Sequence, residues 1–262
     1  MSDLIVLMYH ALYADAHELE AIDAEDRPYA VHVGQFEAHL RALKAADVEV
    51  ISLAAVARSA RGGRRRVLLT FDDGHASARR HALPALHRQA MSAVFFVTTD
   101  FIGRRAGFCG WDDLRALHAG GMAIQSHGAS HRFFDSMNEQ AATAEFEGSK
   151  RAIEAEIGSA VTAISFPGGR YSQSSLAQGA NAGFTQFYSS IPGINAEVSG
   201  THSTVLKRFA IRSGTTTQTV DSIVHARPWT IGRIVASAHL KSAVRRALGN
   251  RLYHWAYRRG AA

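Results

Sequence analysis

The sequence contains one cysteine, five prolines and no long apolar run. The lone cysteine, Cys109, cannot form an intramolecular disulfide, which excludes a disulfide-stabilised scaffold. No run approaches the roughly 18 apolar residues that a membrane-spanning helix needs. The first apolar run, residues 4–8, follows no basic region and is shorter than the roughly 7–15 residues of a signal-peptide core. These absences predict a cytoplasmic protein that is at most peripheral at the inner face of a membrane.

Acidic residues are also absent from the end of the chain. None follows Asp221, whereas eight lysines and arginines do. The whole chain has 29 basic and 23 acidic residues, so without those eight it has 21 basic and 23 acidic residues, a net charge of −2. We therefore predict a near-neutral domain over residues 1–221 and a basic helical tail over residues 222–262.

The tail is amphipathic as well as basic. Its apolar residues share helical faces and its cations mostly occupy the others: the two apolar sets are Ile231, Ile234, Val235 and Ala238, then Val244, Leu248, Leu252 and Trp255. This pattern fits an anionic membrane surface. The alternative is that the apolar stripe packs on the domain, or on a second subunit, and that the basic face is simply solvated. The sequence contains no recognisable nucleic-acid-binding module.

Short apolar runs alternate with helical patterns along the domain. The predicted strands are residues 4–8, 48–51, 67–71, 93–97, 122–125, 162–166, 185–189 and 205–211. Strands that alternate with helices indicate βα units and a parallel sheet. Eight such strands favour a closed or nearly closed barrel over an open sheet. Residues 192–203 are predicted to form a loop, and this loop is a candidate cover for the site.

Polar side chains follow the predicted strands where they end, which is the face that carries the site in barrels of this kind. Asp72 and Asp73 follow residues 67–71, His127 follows residues 122–125 with His131 four residues later, and His10 closes the first strand. Two histidines and a carboxylate can hold a divalent ion such as zinc, iron, cobalt or nickel and leave a position open for water. A second aspartate can act as the general base. Alternatively, an Asp-Asp-Gly sequence can be a simple turn, and among 14 histidines a pair four residues apart can arise by chance.

Three segments in order distinguish these alternatives. TFDDG (residues 70–74), SHGASH (residues 126–131) and SFPGG (residues 165–169) resemble the motifs of the polysaccharide deacetylases of carbohydrate esterase family four. LMYH (residues 7–10) is similar to the opening strand of the branch that includes the biofilm poly-N-acetylglucosamine deacetylases. The resemblance covers roughly residues 4–212. It implies a distorted (β/α)7 TIM-like barrel and metal-dependent hydrolysis of an acyl group on a sugar.

The resemblance also implies roles for individual residues. Asp73, His127 and His131 match the metal ligands, with zinc the expected ion, and Asp72 matches the catalytic base. His10 takes the place of the general acid and would act as an imidazolium. Where the family's third motif has an arginine that orients the base, this chain has Ser165, and Arg170 or Arg208 is expected to compensate. A backbone N–H near Tyr171 is expected to help stabilise the oxyanion.

These observations predict a metal-dependent carbohydrate N-deacetylase that removes an acetyl or formyl group. The expected cytoplasmic location favours a nucleotide- or lipid-linked precursor in O-antigen or capsule biosynthesis. The alternative function is a catalytically weak or inactive carbohydrate-binding or scaffold protein on the same barrel. An oligomer is compatible with either function.

Overall fold

The computed structural model describes residues 3–57, 63–196 and 205–240. Its strands are β1 (Leu4–Tyr9), β2 (Leu12–Tyr13), β3 (Val31–His32), β4 (Glu49–Val50), β5 (Arg66–Phe71), β6 (Val94–Val97), β7 (Ala123–Ser126), β8 (Ala163–Ser165), β9 (Gln186–Tyr188), β10 (Val205–Leu206) and β11 (Phe209–Ala210). Its helices are α1 (Ala16–Glu20), α2 (Val33–Ala45), α3 (Leu83–Arg88), α4 (Trp111–Ala119), α5 (Glu139–Ile157), α6 (Gln173–Asn181) and α7 (Thr217–Val224). Residues 228–240 form a further helix.

The main sheet is parallel and curls back on itself. Its strand order is β10-β9-β8-β7-β6-β5-β1-β11, and β4 pairs with the first residues of β5. The two edge strands are consecutive in sequence, because β10 ends at Leu206 and β11 begins at Phe209. Three Cα–Cα steps span at most about 11 Å, so the two edges of the sheet must lie close together. The predicted TIM-like barrel is thus confirmed as a curled parallel sheet covered by helices.

Alternation along the strands separates two apolar layers. One buried cluster contains alternate residues of β1, β5, β6, β8, β9 and β10, and so fills the interior of the curled sheet: Leu4, Val6, Leu68, Val94, Phe96, Ala163, Tyr188 and Leu206. A second cluster contains the intervening residues, such as Ile5 and Leu7, together with the apolar faces of the helices. Continued by two residues, the same alternation directs His10, Asp72 and His127 towards the barrel axis at the carboxyl ends of their strands.

The eight predicted strands are present, with one correction. Residues 205–211 form two short strands at opposite edges of the sheet, because Lys207 and Arg208 cross between them. The small parallel sheet of β2 and β3, and the helices α6 and α7, were not predicted from the sequence. The part of the predicted loop that the structure describes, residues 192–196, does not cover the site. Asn195 pairs with Leu4 at the start of β1, at the opposite end of the barrel.

The C-terminal region begins inside the fold. The predicted boundary between residues 221 and 222 falls within α7, whose Ile223 and Val224 are buried in the core. In the next helix Ile231 and Ile234 pack against the same core, which is the alternative in which this apolar stripe packs on the domain. The second predicted apolar set, from Val244 to Trp255, lies outside the described residues. Among the described helices, none combines the length and the apolar character needed to cross a bilayer.

Candidate metal centre

The candidate site lies at the carboxyl ends of β1, β5, β7 and β8. The Asp72 backbone N–H donates to the carbonyl of Tyr9 at 2.9 Å, which fixes the end of β5 against the end of β1. The chain then turns through Asp73 in the left-handed region, at φ 73°. Gly74 has φ +88°, and a Cβ there would come within 2.9 Å of Ile102. The glycine is therefore needed for the turn that directs Asp73 towards the histidines.

Asp73, His127 and His131 bring one oxygen and two nitrogens together. The Asp73 Oδ1 atom lies 3.3 Å from Nε2 of His127 and 3.2 Å from Nε2 of His131. The three potential ligand atoms are all within 4.8 Å of one another. Zinc and related ions bind imidazole nitrogen and carboxylate oxygen at about 2.0–2.2 Å, so one ion placed between these atoms would reach all three.

The hydrogen bonds of this cluster fit a cation. His127 Nδ1 is 2.7 Å from the carbonyl of Ser165 and must donate to it, so the neutral ring presents a lone pair at Nε2. That lone pair faces the Asp73 Oδ1 atom, which is buried and accepts no hydrogen bond among the residues described. Two acceptors at 3.3 Å are stable only with a proton or a cation between them. The residues therefore fit a divalent metal ion with His127 oriented by Ser165.

Glu145 on α5 holds the loop that carries His131. Its carboxylate accepts hydrogen bonds from the backbone N–H groups of Ala129 at 2.7 Å and Ser130 at 2.9 Å, and from the Ser130 hydroxyl. His131 itself has φ 62°, a conformation that needs support from its surroundings. Glu145 is buried, so these bonds are shielded from water and stabilise the loop.

Asp72 is held by a guanidinium that crosses between the edges of the sheet. Arg208 donates from Nη1 to Oδ1 and from Nη2 to Oδ2 of Asp72, both at 2.7 Å. Its remaining donors reach the carbonyl of Ser189 and the hydroxyls of Thr70 and Ser165, so all five N–H groups of the buried guanidinium are paired. Ser165 donates in turn to Asp72 Oδ2 at 3.0 Å.

This arrangement sets the charges of the two aspartates. Burial alone would raise the pKa of Asp72, but Arg208 and His127 outweigh it and hold that pKa below its ordinary value. Burial likewise opposes ionisation of Asp73, yet its two histidine neighbours hold its pKa well below the ordinary value. For His131, burial favours the neutral ring, but the Asp73 carboxylate raises the pKa above its ordinary value. Both aspartates are therefore ionised at neutral pH.

His10 lies beside these carboxylates under an aromatic ring. The ring centroids of His10 and Tyr29 are 4.8 Å apart. Arg212 follows β11, the strand next to β1, and its guanidinium lies 4.5 Å from the centroid of the Tyr29 ring. Burial lowers the pKa of His10 below its ordinary value, although Asp73 and Asp72 partly oppose this. The ring is thus neutral at rest at pH 7, and the imidazolium expected to protonate the leaving amine would form only during the reaction. Its buried Nδ1 atom has no hydrogen-bond partner in the described part of the chain.

Arg170 and Tyr171 occupy the rim of the site and make other contacts. The Arg170 Nε atom donates to the carboxylate of Asp135 at 2.9 Å, and its guanidinium lies 4.5 Å from the Phe133 ring. Tyr171 stacks on Phe166 at 5.1 Å and lines a cavity of about 410 Å³ beside α6. Of the two arginines expected to orient Asp72, the structure therefore brings Arg208 to it and not Arg170.

Sequence reasoning found Asp72, Asp73, His127, His131 and His10, and the structure brings all five to one end of the barrel. It did not find the contacts of Ser165 and Glu145, nor the placement of Tyr29 and Arg212. A signal existed for two of these residues. Glu145 is a charge on the helix face that also carries the buried residues Ala142, Phe146, Ser149 and Ile153, and Arg212 follows a predicted strand.

Comparison with known proteins relates the chain to a protein family. The family model described as polysaccharide deacetylase matches residues 59–187, which include Asp72, Asp73, His127 and His131. YxkH of Bacillus subtilis (strain 168), whose name assigns it to the polysaccharide deacetylases, is 23% identical over 215 residues. The match covers 80% of this chain and 72% of YxkH.

Solved structures show the same fold. The Streptococcus pyogenes deacetylase PplD, solved in complex with acetate, is 22% identical with a TM-score of 0.70, over 82% of this chain and 95% of PplD. IcaB from Ammonifex degensii is 20% identical with a TM-score of 0.71, over 88% of this chain and 98% of IcaB.

Proposed function

The chain belongs to the polysaccharide deacetylase family, and from that premise we propose that it removes an N-acyl group, acetyl or formyl, from a sugar by metal-dependent hydrolysis. One observation carries the proposal. Asp73, His127 and His131 converge on a common point, and a second carboxylate, Asp72, lies 3.9 Å from His127 Nε2. A metal site beside an ionised carboxylate is what hydrolysis by an activated water requires.

Zinc is the proposed ion, with iron, cobalt and nickel as alternatives, because imidazole and carboxylate ligands suit all four. When bound, a divalent ion would supply Lewis acidity and lower the pKa of a water molecule towards about 7. The chain's contribution is to hold the ligands in place. Ser165 fixes the ring of His127, and Glu145 fixes the loop of His131.

Asp72 is the proposed general base. It is ionised at neutral pH, and Arg208 and Ser165 fix its orientation. Among the residues that the structure describes, its Oδ1 atom accepts one hydrogen bond, from Arg208, so a second lone pair remains open for a proton. Because Arg208 reaches Asp72 from the crossing between β10 and β11, Ser165 can replace the arginine of the family's third motif without loss of this contact.

His10 is the proposed general acid. It is neutral at rest, so it must receive a proton before it can protonate the departing amine, and the proton that Asp72 takes from the attacking water is the proposed source. Its position beside Asp72 and Asp73 supports this transfer, since both carboxylates favour the charged ring. A backbone N–H near Tyr171 is proposed to assist at the oxyanion, and Arg170 is proposed to contact the sugar at the rim.

The proposed substrate is a nucleotide- or lipid-linked sugar precursor of O-antigen or capsule, handled in the cytoplasm at the inner face of the membrane. The basic sequence after Asp221 supports contact with an anionic surface. Trp229 and Leu240 support it as well, because they are 77% and 66% exposed on the helix of residues 228–240, which lies within this sequence. The alternative of an inactive carbohydrate-binding protein has two grounds in the sequence, the missing motif arginine and the lack of a histidine motif after Phe209. The contacts of Arg208 with Asp72 weigh against the first ground, and His10 is the proposed replacement for the missing histidine.

Three variants test the roles. Asp72→Asn should keep bound zinc and lose at least about a hundredfold in turnover, as removal of a general base does. His127→Ala should lose zinc and turnover together. His10→Ala should keep zinc and lose turnover. The measurements are the metal content of purified protein and amine release from N-acetylated sugars. Loss of zinc from Asp72→Asn, or full turnover by His127→Ala, would contradict the assignment.

A further inference from the structure

Arg212 lies at the mouth of the candidate site and is unused by the proposed chemistry. Ala210 pairs with Met8 in the parallel ladder of β11 and β1, so two residues further on Arg212 comes level with His10. The alternation that directs His10 towards the barrel axis therefore directs Arg212 to the same side of the sheet. The half-buried guanidinium lies 4.5 Å from the centroid of the Tyr29 ring, and the His10 ring lies 4.8 Å from the same centroid.

The guanidinium is fixed but not neutralised. Its Nη2 atom donates to the Tyr29 hydroxyl at 2.8 Å, and the ring holds the plane of the group by a cation–π contact. In the described ranges, no carboxylate forms an ion pair with Arg212, and most of its five N–H donors have no protein acceptor. Other arginines near the rim differ, because Arg105 pairs with Asp23 and Arg170 pairs with Asp135.

The segment that holds Tyr29 is itself anchored to the barrel. The Ser213 backbone N–H donates to the carbonyl of Pro28 at 3.1 Å, and the Leu12 backbone N–H donates to the Ser77 hydroxyl at 2.8 Å. Glu18 in the same segment pairs with Arg80 and His81. Arg212 is therefore held in place before any substrate binds, which lowers the entropic cost of binding.

We propose that Arg212 binds a phosphoryl group attached to the acylated sugar, so that the substrate is a phosphate-linked sugar and not a neutral polymer. This inference rests on the proposed function, because it uses the same site. In a 2-acylamino sugar the amide is on the carbon next to the anomeric carbon. An anomeric phosphoryl group is therefore attached to the carbon next to the one that carries the amide. In the protein, Arg212 and His10 are likewise close, since both contact the ring of Tyr29. A planar guanidinium with open donors is well suited to phosphate oxygens.

The test compares two small substrates that differ in the phosphoryl group. The kinetic constants for deacetylation of N-acetylglucosamine 1-phosphate and of methyl N-acetylglucosaminide are measured for five proteins. These are wild type, Arg212→Gln, Arg212→Lys, Tyr29→Phe and the control Arg104→Gln. Arg104 is an exposed arginine that pairs with Asp100. Arg212→Gln should raise the KM for the phosphate by about tenfold or more and leave the KM for the methyl glycoside unchanged, since charged hydrogen bonds are lost. Arg212→Lys should recover part of the loss. Tyr29→Phe removes the hydroxyl that fixes the guanidinium and should raise the same KM by a smaller factor, whereas Arg104→Gln should stay close to wild type.

Two longer substrates distinguish a nucleotide carrier of the phosphoryl group from a lipid carrier. A nucleoside-diphosphate N-acetylglucosamine and a short prenyl-diphosphate N-acetylglucosamine should both depend on Arg212. The ratio of their kcat/KM values in wild type identifies the carrier.

A binding measurement separates this inference from the proposed function. Calorimetry with metal-free protein reports whether N-acetylglucosamine 1-phosphate binds and whether Arg212→Gln weakens it, independently of turnover. Binding that depends on Arg212 without hydrolysis of any sugar would leave this inference standing and contradict the proposed function. Equal losses for both small substrates, no change in either, or no binding of the phosphate to wild type would overturn the inference, and equal losses would assign Arg212 to the support of Tyr29.

Discussion

Arg208 and Asp72 form an ion pair in which both side chains are buried. The side chains are 0% and 3% exposed, so each charge depends on the other for compensation. Removal of one partner from such a pair typically costs about 3–5 kcal/mol, because the remaining charge is left unpaired in the interior. The pair therefore gives the base its orientation and makes the barrel vulnerable at this position.

We expect Arg208→Met to lower the free energy of unfolding by about 3–5 kcal/mol and to abolish most turnover. The double variant Asp72→Asn, Arg208→Met should be more stable than Arg208→Met alone, because the orphaned charge is gone. Urea denaturation of the four proteins of this cycle measures the coupling. Arg151→Met, on the exposed face of α5, is the control and should change stability little. Strictly additive losses would show that the two side chains do not interact.

At the residue scale, the sequence predicts the groups that are near one another in short motifs. Asp72 and Asp73 are adjacent, and His127 and His131 share one loop, so spacing alone identifies them. The partner of Asp72 is 136 residues away, in the crossing between β10 and β11, whose position relative to β5 the sequence does not display. Arg208 was therefore one of two candidates, and the Ser165 hydroxyl, which bridges Arg208 and Asp72, was not predicted.

Among the elements, α5 has the most direct influence on the metal ligands. Glu145 on this helix accepts the hydrogen bonds that shape the turn between His127 and His131. Glu145→Gln should weaken zinc binding by about 10–100-fold, the usual effect of removing a group that orients a ligand. Competition with a chromophoric chelator measures the affinity. Glu147→Gln, on the exposed side of the same helix, is the matched control. Equal affinities in Glu145→Gln and wild type would exclude a positioning role.

His39 on helix α2 should make the stability of the fold depend on pH in the acid range. His39 is buried between Tyr9, whose hydroxyl donates to Nδ1, and the carbonyl of Thr215, which accepts from Nε2. Burial lowers its pKa to about 4, from 6.5 when unfolded. As the pH falls below 6.5 the unfolded chain binds the proton first, so stability decreases until the folded pKa is reached, by a total on the order of 3 kcal/mol.

The test of this acid dependence is chemical denaturation between pH 4 and 7. The decrease in stability between pH 6.5 and 4 should be smaller in His39→Gln, whose amide can still accept from Tyr9 and donate to Thr215. Exposed His118→Gln should retain the full decrease. If His39→Gln shows the same decrease in stability between pH 6.5 and 4 as wild type, other groups cause that decrease.

The elements also show where pattern reasoning stops. Runs of mostly apolar residues reveal β1, β5 and β6, because both faces of these strands are buried. β7 has the sequence AIQS and contributes only two residues to such a run. Two-residue strands such as β2 and β3 are too short to display a period. The run from 205 to 211 gives no sign that the chain changes edges at Lys207, because that crossing is a property of the closed sheet.

For the whole molecule, the count and alternation of strands predict the barrel, but its closure depends on contacts that are distant in sequence. Asn195 illustrates this, since its side-chain amide donates to the carbonyls of Leu4 and Lys207 and its carbonyl oxygen accepts from the Lys207 N–H. These bonds join three segments at the seam between the two edges. The charge asymmetry, in contrast, is visible from the sequence alone, because it needs no folding to be counted.

That asymmetry leads to the proposed contact with an anionic membrane. The structure moves the point at which the chain should be cut to test it, because truncation at residue 222 would remove the buried residues Ile223 and Val224 and unfold part of the core. Truncation after residue 240 keeps every described element and still removes six of the eight cations after Asp221. Each cation near an anionic leaflet contributes on the order of 1 kcal/mol.

The full chain should therefore sediment with phosphatidylglycerol vesicles and not with phosphatidylcholine vesicles, and salt near 1 M should release it, since the Debye length then falls to about 3 Å. The protein that ends at residue 240 should lose this binding and keep its thermal stability. Trp229→Ser in the full chain should weaken binding less than the truncation does, because it removes an exposed ring but no charge. Equal binding by the truncated and full proteins would remove the membrane from the proposal and leave the basic tail as a solvated surface.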